Sequence, residues 1–505
     1  MTVTKGLLFS ALSTGILGTL THAYQNTVLN NVEDLVKKFV NESVWANYGV
    51  ILSSSELTDI YSYCIVSSWG FGAILGGAFT NTILEKFGRK NSLMVINNLM
   101  VFLACICFVL ARPLFRFELL MLGRAIIGFA YLIYILSFAF YITESAPDKY
   151  RGILSTYRFI FHIFACVIAE VLGLPHIMGT EELWPWLLAI GFIPGILLFV
   201  QTPWFLECPK YTYVKRDDRK GAAKAILFFQ GTDVVVDDVF REYDHEEAMM
   251  DMNAQGVAKL REILSHRHLR IPFFLCILLN VGQNTGGYDA IVNYSSDIFD
   301  DLGLSEGAAM IASICILIPG LLGAVFATVC VENAGRRKLV LGGFVLDLAG
   351  CFLLFFCELF EDEWSWAAYG SLLGAACIIF AFYSSLGPIP EFIFGEITPE
   401  QNHAYTGGVS GTINWITTTF YTCTFSSLHD SVGPWVQTYF IVPTLVIFLY
   451  TYRNLPETKG RPVDEIIETW MEKPELDGPT SELDPLVPDG HTKELNDTAY
   501  GTTAY

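Results

Sequence analysis

Apolar residues run along this chain in long blocks, and the charged residues are pushed into the gaps between them. The blocks fall near 7–29, 58–80, 91–112, 117–140, 152–174 and 184–205, then near 270–297, 306–331, 338–359, 364–394, 405–428 and 433–452. Each is close to the roughly 20 residues that an α-helix needs to cross a bilayer. Backbone in hydrocarbon must satisfy its own hydrogen bonds, so a helix is the element each block predicts. A polar stretch rich in Lys, Arg, Asp and Glu occupies 206–269. The pattern therefore predicts an all-α membrane protein of twelve transmembrane helices, six on each side of a polar loop. The first block runs on into Thr21, His22, Tyr24, Gln25 and Asn26 without a clear cleavage site. It reads as the first spanning helix and not as a signal peptide.

Composition agrees. Of 505 residues only 16% are charged, against about 25% in an average soluble protein. That excludes a soluble enzyme and a secreted disulfide scaffold. The net charge is −20, and much of the acidity sits after Pro462, from Asp464 through Glu475 and Asp484 to Asp497. Such a run is a solvated, disordered tail, so nucleic acid is not an expected partner. The 12 cysteines lie almost all inside apolar blocks with no CxxC, as buried free thiols do. No Walker A, HExxH or GxSxG string occurs, so no enzymatic activity is expected. Asp244-His245-Glu246-Glu247 gathers metal-capable side chains but reads as a solvated helix face. Neither a metal nor a cofactor is expected.

Orientation follows from Lys and Arg. The connections 174–184, 297–306, 359–364 and 428–433 hold none, whereas the alternate ones hold Lys86, Arg89 and Lys90, then Lys149 and Arg151, then Arg336, Arg337 and Lys338. The second set, with both termini, is expected in the cytoplasm. Lys37, Lys38, Arg112 and Arg116 are exceptions on the outer side. The sequon Asn41-Glu42-Ser43 then falls in an outer loop, where it is open to glycosylation.

An internal repeat is visible. Glu85-Lys86-Phe87-Gly88-Arg89-Lys90 follows the second block, and Glu332-Asn333-Ala334-Gly335-Arg336-Arg337 follows the eighth, an offset of 332 − 85 = 247. Glu144 and Glu396 follow the fourth and tenth blocks at 396 − 144 = 252. Two six-helix pseudo-repeats are how a major facilitator transporter is built. The divisions expected are a six-helix bundle over 1–206, a cytoplasmic linker with short helices over 207–269, a second bundle over 270–461 and an acidic tail over 462–505. Glu85, Glu144, Glu207, Glu396 and Glu457 share one membrane level with Arg89, Lys90, Arg151, Arg336 and Arg337. A ring of such pairs is expected to hold the two halves together on the cytoplasmic side, and its breaking would let them rock.

Several strings resemble the animal facilitative hexose transporters, sugar porters of the major facilitator superfamily. They are Pro456-Glu457-Thr458-Lys459-Gly460-Arg461, Gly387-Pro388-Ile389-Pro390, Asn414-Trp415, Leu122-Gly123-Arg124 and Leu206-Glu207-Cys208-Pro209-Lys210. The resemblance runs from about residue 10 to 466. It implies facilitative transport of a hexose such as glucose or fructose, with the sugar and the lipid bilayer as partners. The plasma membrane is the implied location. It also implies a sugar site on the seventh, eighth, tenth and eleventh helices, with help from the fifth. Matched position by position, Gln283, Asn284, Asp289, Glu391, Asn414 and Trp415 fall on that site, and Tyr294, Gly387 and Pro388 on gating positions. The departures are marked: Gly320 replaces an asparagine, Tyr383 a glutamate, Phe159 and Glu170 two glutamines, and Glu391 a tryptophan.

A hexose needs amide and carboxyl partners and an aromatic face, which these residues supply. Asp289 and Glu391 are carboxylates inside the membrane, where they cost about 2.5–3.5 kcal/mol and normally face a cavity. They serve a hexose or polyol, a cationic or zwitterionic solute, or a transported proton; alternatively Glu391 pairs with Arg158 and touches no substrate. A non-transporting nutrient receptor on the same fold is the rival from another class. In the tail, Glu482 to Val487 faintly resembles an acidic dileucine sorting signal, and Thr503-Ala504-Tyr505 a ligand of a peptide-binding module. Sorting or scaffold proteins are the weak partners these would imply.

Overall fold

In a computed structural model of the chain, describing residues 4–147, 154, 157–232, 234–251, 257–301, 304–360, 366–461 and 463–471, the apolar blocks are helices. We number the long ones α1 (Lys5–Thr27), α2 (Ser54–Phe87), α3 (Arg89–Ala111), α4 (Phe117–Ser145), α5 (Arg158–Leu172) and α6 (Trp184–Trp204). The second set is α7 in two pieces (Arg267–Thr285 and Tyr288–Asp301), α8 (Glu306–Ala334), α9 (Arg336–Leu359), α10 (Ala367–Ile397), α11 (Glu400–Val432) and α12 (Gly433–Asn454). Among the described residues nine helices are long and apolar enough to cross a membrane. The other three are α5, the first piece of α7, and α11. Of these, α7 and α11 bury polar residues such as Asn280, Gln283, Asn284, Thr418 and Thr422, which lowers their mean hydropathy while leaving them helical.

Local chemistry fixes the ends. Thr4 caps α1 by accepting from the Leu7 amide, and Ser53 and Glu56 form a reciprocal capping box at the start of α2. The loop after α1 is itself a helix, Glu33–Tyr48, which the hydropathy pattern does not announce. Its Asn41 accepts a hydrogen bond from the Leu52 amide, and Ser43 is fully buried, donating to the Phe115 carbonyl at 2.8 Å. The polar stretch before α7 carries short helices including Arg219–Gln230 and Val236–Asp251.

Between helices, small residues decide the closest approaches. A Cβ on Gly72 would stand 1.9 Å from the Ala125 carbonyl oxygen, and one on Gly76 2.7 Å from that of Phe129, so α2 and α4 meet backbone to backbone. The arrangement recurs where α8 meets α10: a Cβ on Gly320 would stand 2.8 Å from the Ile379 side chain, and one on Gly323 2.9 Å from the Phe380 carbonyl oxygen. The offsets, 320 − 72 = 248 and 323 − 76 = 247, match the repeat of the Gly-Arg turns. Gly320, where the resemblance leads one to seek an asparagine, has no room for a side chain: Ile163 and Tyr383 also lie within 3.0 Å of its Cβ position.

Both Gly-Arg turns have the same construction. Gly88 (φ 87°, ψ 168°) and Gly335 (φ 89°, ψ 149°) sit in a region open essentially to glycine alone. The Glu207 carboxylate accepts from the Lys90 amide at 2.8 Å and the Cys208 amide at 3.1 Å. The Glu457 carboxylate accepts from the Arg336, Thr458 and Lys459 amides at 2.8, 3.1 and 3.2 Å. Each carboxylate thus caps the first turn of α3 or α9, where unpaired amides and the helix dipole favour an anion. Burial pushes the Glu207 carboxyl above the usual range, and the two amides pull it part of the way back.

Candidate functional site

The expected charge network is present in large part, but its pairs close within each half. Arg89 donates to Glu144 through Nε and a terminal nitrogen at 3.1 and 2.8 Å, and Arg336 meets Glu396 at 3.2 and 3.1 Å in the same way. Arg337 donates instead to the Tyr452 carbonyl at 2.8 Å, and the exposed Glu85 makes no ion pair among the described residues. Arg151 lies outside the described residues. Among the described residues, then, this network fastens α3 to α4 and α9 to α10, and no pair in it joins the halves.

Between the halves α2 packs on α11 and α5 on α8, while the polar bonds come chiefly from α1, the residues just after it and α5 toward α7 and α10. Along α5 the residues 158, 162, 166 and 170 share one face at i,i+4 spacing. Arg158, 4% exposed, forms an ion pair with Glu391 of α10 and lies over the Phe159 ring, 4.5 Å from its centroid. His162 Nδ1 is hydrogen-bonded to the Tyr383 hydroxyl at 2.8 Å, and that hydroxyl to Tyr288 of α7 at 2.8 Å. Asn26 of α1 donates to the Tyr288 hydroxyl at 3.4 Å. Asn30 donates to Glu170 at 3.0 Å and to Ser295 at 3.1 Å, while Ser296 donates to Asn31 at 2.9 Å. These bonds thread both halves from the middle of the bundle to the end away from the Gly-Arg turns.

The expected sugar-facing residues fall into three groups. Gln283, Asn284 and Asn414 come together where α7 crosses α11: Asn284 Nδ2 donates to Asn414 Oδ1 at 2.6 Å, and Thr418 donates to Asn284 Oδ1 at 2.8 Å. Gln283 donates to the Gly387 carbonyl at 3.1 Å, in the turn Gly387-Pro388-Ile389 within α10. Trp415 turns to the first half and packs edge-on against Trp69 and Tyr131, with ring centroids 5.2 and 5.1 Å away. Asp289, one residue into the second piece of α7, is buried, and its carboxylate has no hydrogen-bond or ionic partner among the described residues.

Glu391 is set apart from these, because its carboxylate is taken up by Arg158. Tyr294 marks a second irregularity of α7 (φ −131°, ψ 15°) and donates to the Thr422 carbonyl at 3.4 Å. A cavity of about 10 Å³ lined by Gly286, Gly287, Ala290, Leu354, Ala375 and Phe440 is bordered by none of the residues expected to bind sugar. Asn284 is held by Asn414 and Thr418, and Gln283 by a backbone carbonyl, so a solute that takes up these groups replaces those bonds.

The sequence reading did not single out His162, Tyr288, Asn30, Ser295, Trp69 or Tyr131 for the site. For His162 the signal was on the page: Arg158, His162, Cys166 and Glu170 form a polar stripe at helical spacing through an apolar block. Among the described residues no cluster of three or more His, Cys, Asp or Glu side chains has the geometry to hold a metal.

A model of the sugar (and other) transporter family matches residues 7–470. The chain is 30% identical over 464 residues to solute carrier family 2, facilitated glucose transporter member 1, of Gallus gallus, covering 91% of this chain and 92% of that protein. Member 7 of the same series, from Mus musculus, is 26% identical over 460 residues, with 91% and 89% covered. Among solved structures, the proton:xylose symporter XylE bound to 6-bromo-6-deoxy-D-glucose superposes with a TM-score of 0.72 at 19% identity, over 92% of this chain and 99% of that one. An inward-open form of XylE from E. coli gives 0.71 at 20% identity, over 92% and 100%. At these identities the likeness to XylE is one of fold.

Proposed function

Because the chain belongs to the sugar (and other) transporter family, we propose that it moves a hexose such as glucose across a membrane by alternating access. The halves, 1–206 and 270–461, rock about a site between them, with the linker 207–269 and both termini in the cytoplasm. The plasma membrane is its proposed location.

The observation that carries the reading is the cluster of neutral hydrogen-bonding groups Gln283, Asn284, Asn414 and Thr418 beside Trp415, where α7 and α11 cross. Amides both donate and accept, as a sugar hydroxyl does, and an indole face suits the apolar face of a pyranose. Asp289 adds an acceptor that no group among the described residues uses. Glu391 enters this scheme through Arg158: the pair joins α5 to α10 and opens or closes with the halves, so it sets the balance between states. The Asn30, Asn31, Ser295 and Ser296 bonds seal the end away from the Gly-Arg turns, which is the outer end in the proposed orientation.

Uptake of labelled glucose and fructose into proteoliposomes, with and without a pH gradient, tests the proposal. Saturable uptake indifferent to the gradient supports a facilitative carrier. Uptake that requires the gradient makes the chain a proton symporter, and absence of hexose uptake removes the reading.

A further inference from the structure

Along the polar stripe of α5 one position stands open. Arg158, Cys166 and Glu170 are buried, whereas His162 between them is only half-buried. Its Nδ1 is taken by the Tyr383 hydroxyl at 2.8 Å. Nε2, on the other side of the ring, has no partner among the described residues.

The bonds that reach Nδ1 have a definite direction. Asn26 Nδ2 can only donate, so the Tyr288 oxygen accepts from it. Tyr288 then has the Tyr383 oxygen as the acceptor for its own hydrogen. Tyr383 in turn gives its hydrogen to Nδ1 of His162. Cys166, next on the stripe, does not break the order, because its thiol donates to the Ala23 carbonyl at 3.6 Å. Run the other way, the chain would leave the buried Tyr288 hydroxyl hydrogen without an acceptor among the described residues. A neutral imidazole that accepts at Nδ1 carries its proton on Nε2. The open side of the ring is therefore a donor.

That donor stands beside the amide cluster. Tyr383 and Gly387 are one turn apart on α10; His162 of the first half meets the one, and Gln283 of the second half donates to the carbonyl of the other. Tyr288 is the immediate neighbour of Asp289 on α7. Packing holds the two tyrosines in place. The Tyr288 ring stacks on Phe382 with centroids 3.7 Å apart, and the Tyr383 ring lies where a side chain at position 320 would otherwise be.

We propose that His162 is a further sugar-binding residue, supplied by the first half, whose Nε2–H donates to one hydroxyl of the solute. Tyr383, Tyr288 and Asn26 are positioning residues that keep the proton on that nitrogen. The four come from α5, α10, α7 and α1, so the donor is set only while the two halves are together at this level. A site built around a hydroxyl rejects the analogue that lacks it, because the donor is then left unpaired. His162 thus determines specificity at one position of the sugar ring. The inference rests on the transport reading and adds to it a contact from the half that the amide cluster does not use.

The test measures uptake of glucose and of the deoxyglucose series, each member lacking one hydroxyl, by the full chain in proteoliposomes. In the parent one analogue is expected to show a KM raised about two- to twelvefold over glucose, the worth of one neutral hydrogen bond. His162→Asn keeps an oxygen for Tyr383 where Nδ1 stood but has nothing at Nε2, whereas His162→Gln sets its amide near Nε2. The Asn variant should lose discrimination against that one analogue, with kcat less affected, and the Gln variant should keep much of it. A purely structural role predicts the reverse order, and unchanged ratios in the Asn variant overturn the contact. Nitrogen NMR of histidine-labelled protein reads the tautomer without transport, on the signal that His162→Gln removes. A proton on Nε2 that becomes shared between the nitrogens in Tyr383→Phe is expected, and a proton on Nδ1 in the parent overturns the relay. Absence of glucose uptake by the parent removes the transport reading and the sugar contact together. Uptake with ratios unmoved by His162→Asn removes the contact alone.

Discussion

At Glu391 the two roles open to an intramembrane carboxylate separate. A group facing a cavity serves a solute, and a group held by a guanidinium serves the fold or its motion. Arg158 is almost fully buried, so Glu391→Gln strips it of its counter-ion. The loss of a charged hydrogen bond, about 1.5–3 kcal/mol, should appear as a lower unfolding temperature in detergent. The double variant Arg158→Gln, Glu391→Gln should recover much of it, since two neutral amides leave no buried charge. A double variant no more stable than the single one would contradict the pairing. The glycines are as sharply defined. Gly88→Ala or Gly335→Ala forces a strained φ, worth about 1–3 kcal/mol, and drives a methyl into the capping carboxylate of Glu207 or Glu457. Thermal unfolding should show both losses, whereas Gly342→Ala, a helical position with open space around its Cβ, should be nearly silent. The glycine-arginine order of these turns was legible in the sequence; that each shelters a carboxylate arriving from more than a hundred residues away was not.

At the scale of the element, α11 does two tasks with two adjacent stripes. Asn414, Thr418 and the Thr422 carbonyl face α7, and Trp415, Thr419 and Ser427 face α2. If the first stripe holds sugar, Asn284→Ala should raise the KM of uptake with a smaller change in kcat. One or two lost hydrogen bonds of about 0.5–1.5 kcal/mol each place the rise at several-fold. An unchanged KM would move the site away from the α7–α11 crossing. Hydropathy located α11 because its apolar residues outnumber its threonines, yet it gave no means of telling which threonine faces which neighbour. The polar stripe of α5 was readable from its four-residue spacing alone. Its partners were not, since Tyr383 and Tyr288 lie on other helices and the spacing within α5 says nothing of what faces it. The Glu33–Tyr48 helix escaped for the opposite reason: it is amphipathic and charged, and a search for long apolar blocks passes over it.

The molecule as a whole is two copies of one plan, and the copies agree down to the glycines of α2 and α8. The plan was plain in the sequence from an offset near 247. The fastening between copies was misplaced, because charges at one membrane level invite pairing across the gap, whereas Arg89–Glu144 and Arg336–Glu396 each stay at home. Among the described residues, what spans the gap at the other end is chiefly neutral amides and hydroxyls, with Ser427 on the Asp59 carboxylate beside them. Weakening them by Asn30→Ala or Ser295→Ala should shift the balance toward the state open at that end. Thiol-accessibility labelling at residues of α1 and α7 would show the change as faster modification. The opposite shift would reverse the assignment of that end as the closed one.

The cap on each Gly-Arg turn bears on how the chain is made. The amides that begin α3 wait for Glu207, which leaves the ribosome only after the sixth helix has been synthesised. Those that begin α9 wait for Glu457, just past the twelfth. Each half is therefore sealed by one of the last residues belonging to it. A nascent chain halted short of either seal holds a helix end whose amides have no acceptor, a mark by which an unfinished bundle differs from a finished one during biogenesis.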